Sequence, residues 1–441
     1  MPPIDATTAV LRPAPWMLQA LDSPRFLPAA LVLALVLRVA VLLVPLEQSS
    51  DFEWYFMRAA GIARGEGYHQ GGVLTAFWPV GWPGALGLLF SVTGVSALAG
   101  QLANLVMGVL ACGLAASLAA RLFGSRAAGN LAALMMAVYP NQIGYVPLLS
   151  TEIFYETLLL LSVLLLMRER LASDLACGVL LGIGTLTKTQ TLLLPGFLLV
   201  VLIVLEGWKT LPRRARSLCA IYVALLLVVA PWTYRNWVVF DAFVPVSTNG
   251  GFTLMTGNNP EARGDYTPET VLAVGFSHDP TQQIAMDRMA RERAVAWIKD
   301  NPGRFIMLMP LKVFRLWAPD GEAEWFYQRG SAIYDANYVV FRIVRGANQV
   351  FYLGILALAL PSMWLLWRRR AALSPWAWTG VVFCLYFTLI SMVFSGQSRF
   401  HFSLMPFVIG YASWTLARWG TAWSLRRQAW QPDRCGPGTP A

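Results

Sequence analysis

Charge is what this sequence has least of. Only 13% of its 441 residues are Asp, Glu, Lys or Arg, about half the share of a soluble globular domain. Beside 56% hydrophobic residues, that deficit excludes an ordinary water-soluble domain and points to lipid as solvent. Histidine is scarcer still, with three residues. The five cysteines, Cys112, Cys177, Cys219, Cys384 and Cys435, lie mostly in apolar segments without metal-type spacing. They read as small buried hydrophobes and say little about redox compartment. No internal repeat is visible, which weakens an inverted-repeat transporter reading. No A-x-A cleavage site follows the apolar run 27–46, so that run is expected to be a retained first span and not a signal peptide.

What the chain does have is long apolar runs, near 27–46, 96–120, 127–146, 152–167, 174–190, 191–206, 217–236, 346–367, 375–394 and 402–420. They predict an all-α polytopic membrane protein of about ten spans, with eight to twelve possible. Eighteen Trp and fourteen Tyr fit rings that favour the headgroup region. The net charge of +10 does not imply nucleic acid, because the basic residues sit in short clusters between apolar runs. With the N-terminus in the cytoplasm, the inner turns hold Arg121 and Arg126; Arg168 and Arg170; Lys209, Arg213, Arg214 and Arg216; and Arg368, Arg369 and Arg370. The short outer turns hold only Lys188 and Arg399. That asymmetry is the positive-inside rule, and it predicts a multi-pass plasma-membrane protein with both termini cytoplasmic. The organisation expected is a cytoplasmic segment 1–26, a membrane domain 27–420 and a cytoplasmic tail 421–441, disordered at its Pro- and Gly-rich end. Two long segments, 47–95 and 237–345, fall outside. The second ends in 302–317, whose apolar positions suit an interfacial helix.

The outer segments carry the chemistry. The first opens Ser50-Asp51-Phe52-Glu53-Trp54-Tyr55. Asp51 suits a helix N-cap, but acids beside a span are costly unless used or hydrated. The same loop ends Trp78-Pro79-Val80-Gly81-Trp82-Pro83, which by itself reads as an interfacial anchor. Further on, Glu152 follows Ser150-Thr151 in a good capping context. Lys188 stands between two apolar runs and either snorkels or has an anionic partner. Arg235 closes Pro231-Trp232-Thr233-Tyr234-Arg235-Asn236, and Asn249 sits in Ser247-Thr248-Asn249-Gly250-Gly251, where a turn is the plainer reading. Arg399 and His401 lie in Ser398-Arg399-Phe400-His401, where the arginine fork suits phosphate. These residues come from separate turns, and the topology puts them on one side of the membrane. Acids with scattered cations on one leaflet suggest a site for an anionic, lipid-attached substrate.

In this order and on this side, the motifs resemble the polytopic GT-C glycosyltransferases, specifically the bacterial relatives of protein O-mannosyltransferases and of the lipid A aminoarabinose transferase. The likeness covers most of residues 30–406, and also rests on Gly65-Glu66-Gly67-Tyr68, Gly182 with Lys188, and Gly257-Asn258-Asn259-Pro260. The resemblance implies a GT-C-like bundle of transmembrane helices with outward loops. It implies a glycosyltransferase that moves a sugar from a polyprenyl-phosphate donor to an acceptor hydroxyl on a glycan, lipid or protein at the outer face. It implies Asp51 as the catalytic base, Lys188 and Arg399 as holders of the donor phosphate, and Glu53 or Glu152 as a second acid. Tyr55, Trp82, Arg235, Asn249 and His401 are candidate substrate contacts. One carboxylate with direct attack would invert the anomeric carbon. No cofactor is required. Asp51, Glu53 and His401 could hold a divalent ion, but no ligand spacing calls for one. Two alternatives stay open: a flippase for lipid-linked saccharides, and a polymerase or ligase using a lipid diphosphate-linked oligosaccharide.

Overall fold

The computed structural model describes residues 21–267, 280–368 and 373–428, and helices dominate it. A helix lies on each of the ten apolar runs: α1 (Phe26–Leu42), α4 (Ala97–Phe123), α5 (Arg126–Val138), α7 (Glu152–Leu166), α8 (Leu171–Thr187), α9 (Leu194–Glu206), α10 (Leu211–Phe240), α15 (Tyr338–Arg368), α16 (Thr379–Val393) and α17 (Met405–Gln428). Among the described residues, five helical stretches are long and apolar enough to cross a membrane by themselves, within 97–123, 189–206, 208–240, 335–368 and 375–393. The chain is a multi-pass membrane protein. The segment 1–20, the end of the tail at 429–441, and Arg369 and Arg370 lie outside the described residues.

Small residues let these helices close on one another, as they must where lipid supplies no hydrophobic drive. Gly178 and Gly182 are four apart on α8 and face α10. A Cβ on Gly178 would strike the Ile221 carbonyl, and one on Gly182 would stand 2.7 Å from Val228 Cβ. Gly129 does the same for α5 on α4, where a Cβ would lie 2.6 Å from the Ala116 carbonyl.

The run 127–146 is not one helix. It breaks at Tyr139 because Pro140 has no N–H to continue the ladder, and the short α6 (Pro140–Gly144) follows. The break orphans carbonyls inside the bundle. Arg38 of α1 answers them, donating to Met136 O at 3.2 Å and Ala137 O at 3.3 Å. It is fully buried. A Cβ on Gly108 would come within 2.9 Å of its Nε, so glycine makes room for it.

At one end of the bundle, Arg213 and Arg214 pair with Glu169 and Glu206. The other end carries the loop elements. α2 (Asp51–Ala63), an antiparallel ladder of His69–Gln70 with Val73–Leu74, and α3 (Gly81–Thr93) form the first. The second holds α11 (Gly250–Gly257), α12 (Gln283–Asp300), α13 (Pro302–Leu316) and α14 (Glu322–Gly330). Close glycine contacts seat it: a Cβ on Gly257 would strike the Phe394 carbonyl, and one on Gly396 the Lys312 carbonyl. α13 is two-faced as expected, with Ile306, Met307 and Phe314 exposed and Leu308, Lys312 and Leu316 buried.

Candidate functional site

Asp51 is the first residue of α2, and Ser50 takes the cap position. Ser50 holds φ at +55°, a left-handed conformation that costs a residue with a Cβ about 1–3 kcal/mol. Its side chain makes no cap bond. Asp51 is therefore not the helix cap that its position suggests. Its Oδ2 accepts from Arg399 Nη2 at 3.0 Å instead.

Arg399 lies on the 3₁₀ turn Ser398–Leu404 that leads into α17. Its backbone N–H and the Ser398 hydroxyl both donate to Glu322 Oε1, at 3.4 and 3.2 Å. Its Nε stands 4.0 Å from Glu322 Oε2 and has no hydrogen-bond partner among the described residues. Burial opposes the guanidinium charge, but Asp51, Glu152 and Glu322 outweigh it and hold the pKa well above the ordinary value. Burial likewise pushes the Glu322 carboxyl up, with Arg399 working against it.

Lys188 follows the C-terminal end of α8, and Glu152 opens α7, where the helix dipole favours an acid. Lys188 Nζ stands 3.3 Å from Glu152 Oε1, over the rings of Tyr155 and Phe400 at 5.5 and 5.9 Å. The lysine is paired and does not snorkel. Tyr55, four residues after Asp51 on the same face of α2, has Asp51, Arg399 and Glu152 as its electrostatic neighbours. Tyr145 adds a buried hydroxyl with no partner among the described residues, beside Glu322, Glu152 and Arg399.

Of the residues singled out in the sequence, the structure brings Asp51, Tyr55, Glu152, Lys188 and Arg399 together. It separates the others. Glu53 is exposed and lies on the opposite side of α2 from Asp51, because two residues along a helix turn about 200°. Trp82 is buried, and its Nε1 donates to Leu149 O at 2.8 Å. It fixes the strand of chain that enters Glu152. Neighbouring Gly81 presses on the Leu186–Thr187 backbone, where a Cβ would come within 2.7 Å. The Trp-Pro-Val-Gly-Trp-Pro run is thus the seat on which the Lys188 turn rests, and not an interfacial anchor.

Arg235 is a clamp. It donates to Thr75 O at 2.9 Å and Tyr68 O at 3.1 Å, tying the first loop to α10. Asn249 precedes α11 and accepts from the Ser247 hydroxyl at 2.8 Å, as a turn residue does. His401 is fully buried. Its Nδ1 meets the Leu316 carbonyl at 2.6 Å and its Nε2 meets Asp320 Oδ1 at 2.8 Å. A carbonyl on one ring nitrogen and a carboxyl on the other favour the charged imidazole, and its pKa is raised. Trp317 and Tyr352 stack on its ring, with centroids at 5.8 and 5.0 Å. His401 joins the turn carrying Arg399 to the segment carrying Glu322.

Asp320 and Glu322 are what the sequence reading missed. Their signal is local: an Asp-Gly-Glu sequence just beyond α13. Among the described residues, no group of three or more His, Cys, Asp or Glu side chains is arranged to hold a metal ion.

Residues 79–234 match the family model for dolichyl-phosphate-mannose-protein mannosyltransferase. Among solved structures, the chain is similar to the archaeal oligosaccharyltransferase AglB from Archaeoglobus fulgidus, in complex with an inhibitory peptide and a dolichol-phosphate. The TM-score is 0.54 at 14% identity, over 94% of this chain and 52% of that one. An Archaeoglobus fulgidus oligosaccharyltransferase tethered with an acceptor peptide gives a TM-score of 0.55 at 14% identity, over 93% of this chain and 51% of that one. The chain shares the membrane fold of these oligosaccharyltransferase structures. The chain spans about half the length of these oligosaccharyltransferase chains. ArnT from Cupriavidus metallidurans, bound to undecaprenyl phosphate, is similar at a TM-score of 0.45 and 16% identity, over 93% of this chain and 81% of that one. No curated protein matches the chain by sequence.

Proposed function

We propose that this chain is a membrane glycosyltransferase that moves a sugar from a polyprenyl-phosphate donor to an acceptor hydroxyl on the outer face of the plasma membrane. The observation that carries the reading is the meeting of Asp51 with Arg399 at 3.0 Å, beside the buried Lys188–Glu152 pair. An acid able to take a proton and two cations able to hold a phosphate share one site at the end of an apolar bundle. In the reaction, the acceptor oxygen bonds to the anomeric carbon as the bond from that carbon to the phosphate oxygen breaks. The polyprenyl phosphate leaves with the electron pair, and the acceptor proton passes to Asp51. Arg399 and Lys188 stabilise the departing phosphate where its charge grows. Direct attack with one carboxylate inverts the anomeric carbon.

The purified chain should therefore transfer sugar from a polyprenyl monophosphate donor, and the product should carry the inverted anomeric configuration by NMR. Use of a diphosphate-linked oligosaccharide alone, or retention at the anomeric carbon, would contradict the reading.

A further inference from the structure

We propose that the face of α2 running from Asp51 to Arg58 is the acceptor side of the site, and that Arg58 receives an anionic group, phosphate or carboxylate, carried on a saccharide acceptor. The proposal rests on the transferase reading above and names the class of acceptor it implies.

Residues 51, 54, 55 and 58 recur at helical spacing and share one face of α2. Asp51 and Tyr55 belong to the cluster already described. Arg58 stands two turns further along, about 10 Å from Asp51 at ~1.5 Å of rise per residue. Its guanidinium lies over the Trp54 ring at 4.9 Å. Its Nε is buried and has no hydrogen-bond partner, and the side chain makes no ion pair among the described residues. Arg64, Arg291 and Arg345 each hold a carboxylate within 2.8 Å. Among the described residues, Trp54 and Tyr68 favour the Arg58 charge, while burial, the larger effect, pushes its pKa down.

A half-buried cation without a counter-charge is costly, and an arriving anion recovers that cost. The site is also stiff. Trp54 meets Tyr68 edge-on at 5.6 Å and Trp78 at 6.5 Å, and Tyr55 meets Trp78 at 6.5 Å. These rings pack along the helix face between the acid and the free guanidinium fork. Lys188 and Arg399 supply the charge for the donor phosphate at the Asp51 end. Arg58 is left to the acceptor.

The test is a ligand-observed NMR titration of the full chain in phosphatidylcholine nanodiscs, with no donor present. The probes are methyl glucoside, methyl glucoside 6-phosphate and methyl glucuronide. The two anionic probes should bind roughly tenfold more tightly than the neutral one, as a charge-assisted hydrogen bond provides. The advantage should shrink with salt, disappear in Arg58→Ala and Arg58→Gln, and persist in part in Arg58→Lys, which keeps charge but not stacking. It should also persist in Arg399→Gln. Equal binding of all three probes overturns the proposal. So does an advantage that survives Arg58→Ala or vanishes only in Arg399→Gln, which would place the anion on the donor cations. So does Arg58-dependent binding seen only with anionic lipid vesicles, which would make a bilayer headgroup the occupant. Because no donor is used, a chain that sorts the probes yet transfers no sugar keeps the Arg58 site and loses the transferase reading.

Discussion

Arg399 and Asp51 are 348 positions apart in the chain and 3.0 Å apart in the fold. The arginine holds the carboxylate in place, and on the proposed reading it also meets the donor phosphate as charge develops there. Its backbone N–H is tied to Glu322 at 3.4 Å, so the guanidinium is set before any substrate arrives. Such pre-organisation gives an electrostatic contact its catalytic value.

Arg399→Lys keeps the charge and loses the planar fork. Transfer is expected to fall by about 10- to 100-fold, with a larger loss in Arg399→Ala, as for removal of one charge-stabilising donor. The loss should appear chiefly in kcat. Steady-state kinetics with varied donor concentration reads the division between kcat and KM.

Glu152 is nearly fully buried and holds Lys188 at 3.3 Å. Removing one partner of a buried pair costs about 3–5 kcal/mol, because the other charge is left alone. Glu152→Gln should therefore lower the thermal midpoint sharply. Glu152→Gln with Lys188→Met should recover most of that stability and still lose donor use. Melting curves and transfer assays on both variants separate the structural role of the pair from its role with phosphate.

How much of this was legible in the sequence follows from distance along the chain. The apolar runs announce the helices, because a span is a local property of about 20 residues. The break at Tyr139–Pro140 was equally local and was passed over because the flanking residues are apolar. Asp51, Lys188 and Arg399 stood out because charge beside a span is rare. Glu322 did not, because it sits in a long polar segment where an acid is unremarkable. Only the tertiary fold places it against Arg399. Trp82, Arg235 and His401 looked like substrate contacts for the same reason in reverse. Polar groups near a membrane face serve ligands or scaffold, and in the fold these three side chains hydrogen-bond to Leu149, Thr75, Tyr68 and Asp320.

His401 gives a pH signature. Burial opposes its charge, but Asp320 and the Leu316 carbonyl more than reverse this, so its folded pKa lies above the ordinary value. A raised folded pKa contributes stability that is fully present below the unfolded pKa and is lost as pH rises through the folded one. The thermal midpoint should fall across that window, and His401→Gln should flatten the fall. Glu322 is the other charge acting on this imidazole, so the series should be repeated in Glu322→Gln. Melting curves from acid to mildly alkaline pH provide the check.

The central claim is that Asp51 takes the acceptor proton. General-base assistance contributes about 10²–10⁴-fold to a rate. The direct measurement is single-turnover sugar transfer by Asp51→Asn, alongside donor binding to the same preparation. The expected result is a rate lower by about 100-fold or more, with donor binding within a few-fold of the unaltered chain. An Asp51→Asn chain that inserts normally, binds donor and transfers sugar at the unaltered rate would contradict the account.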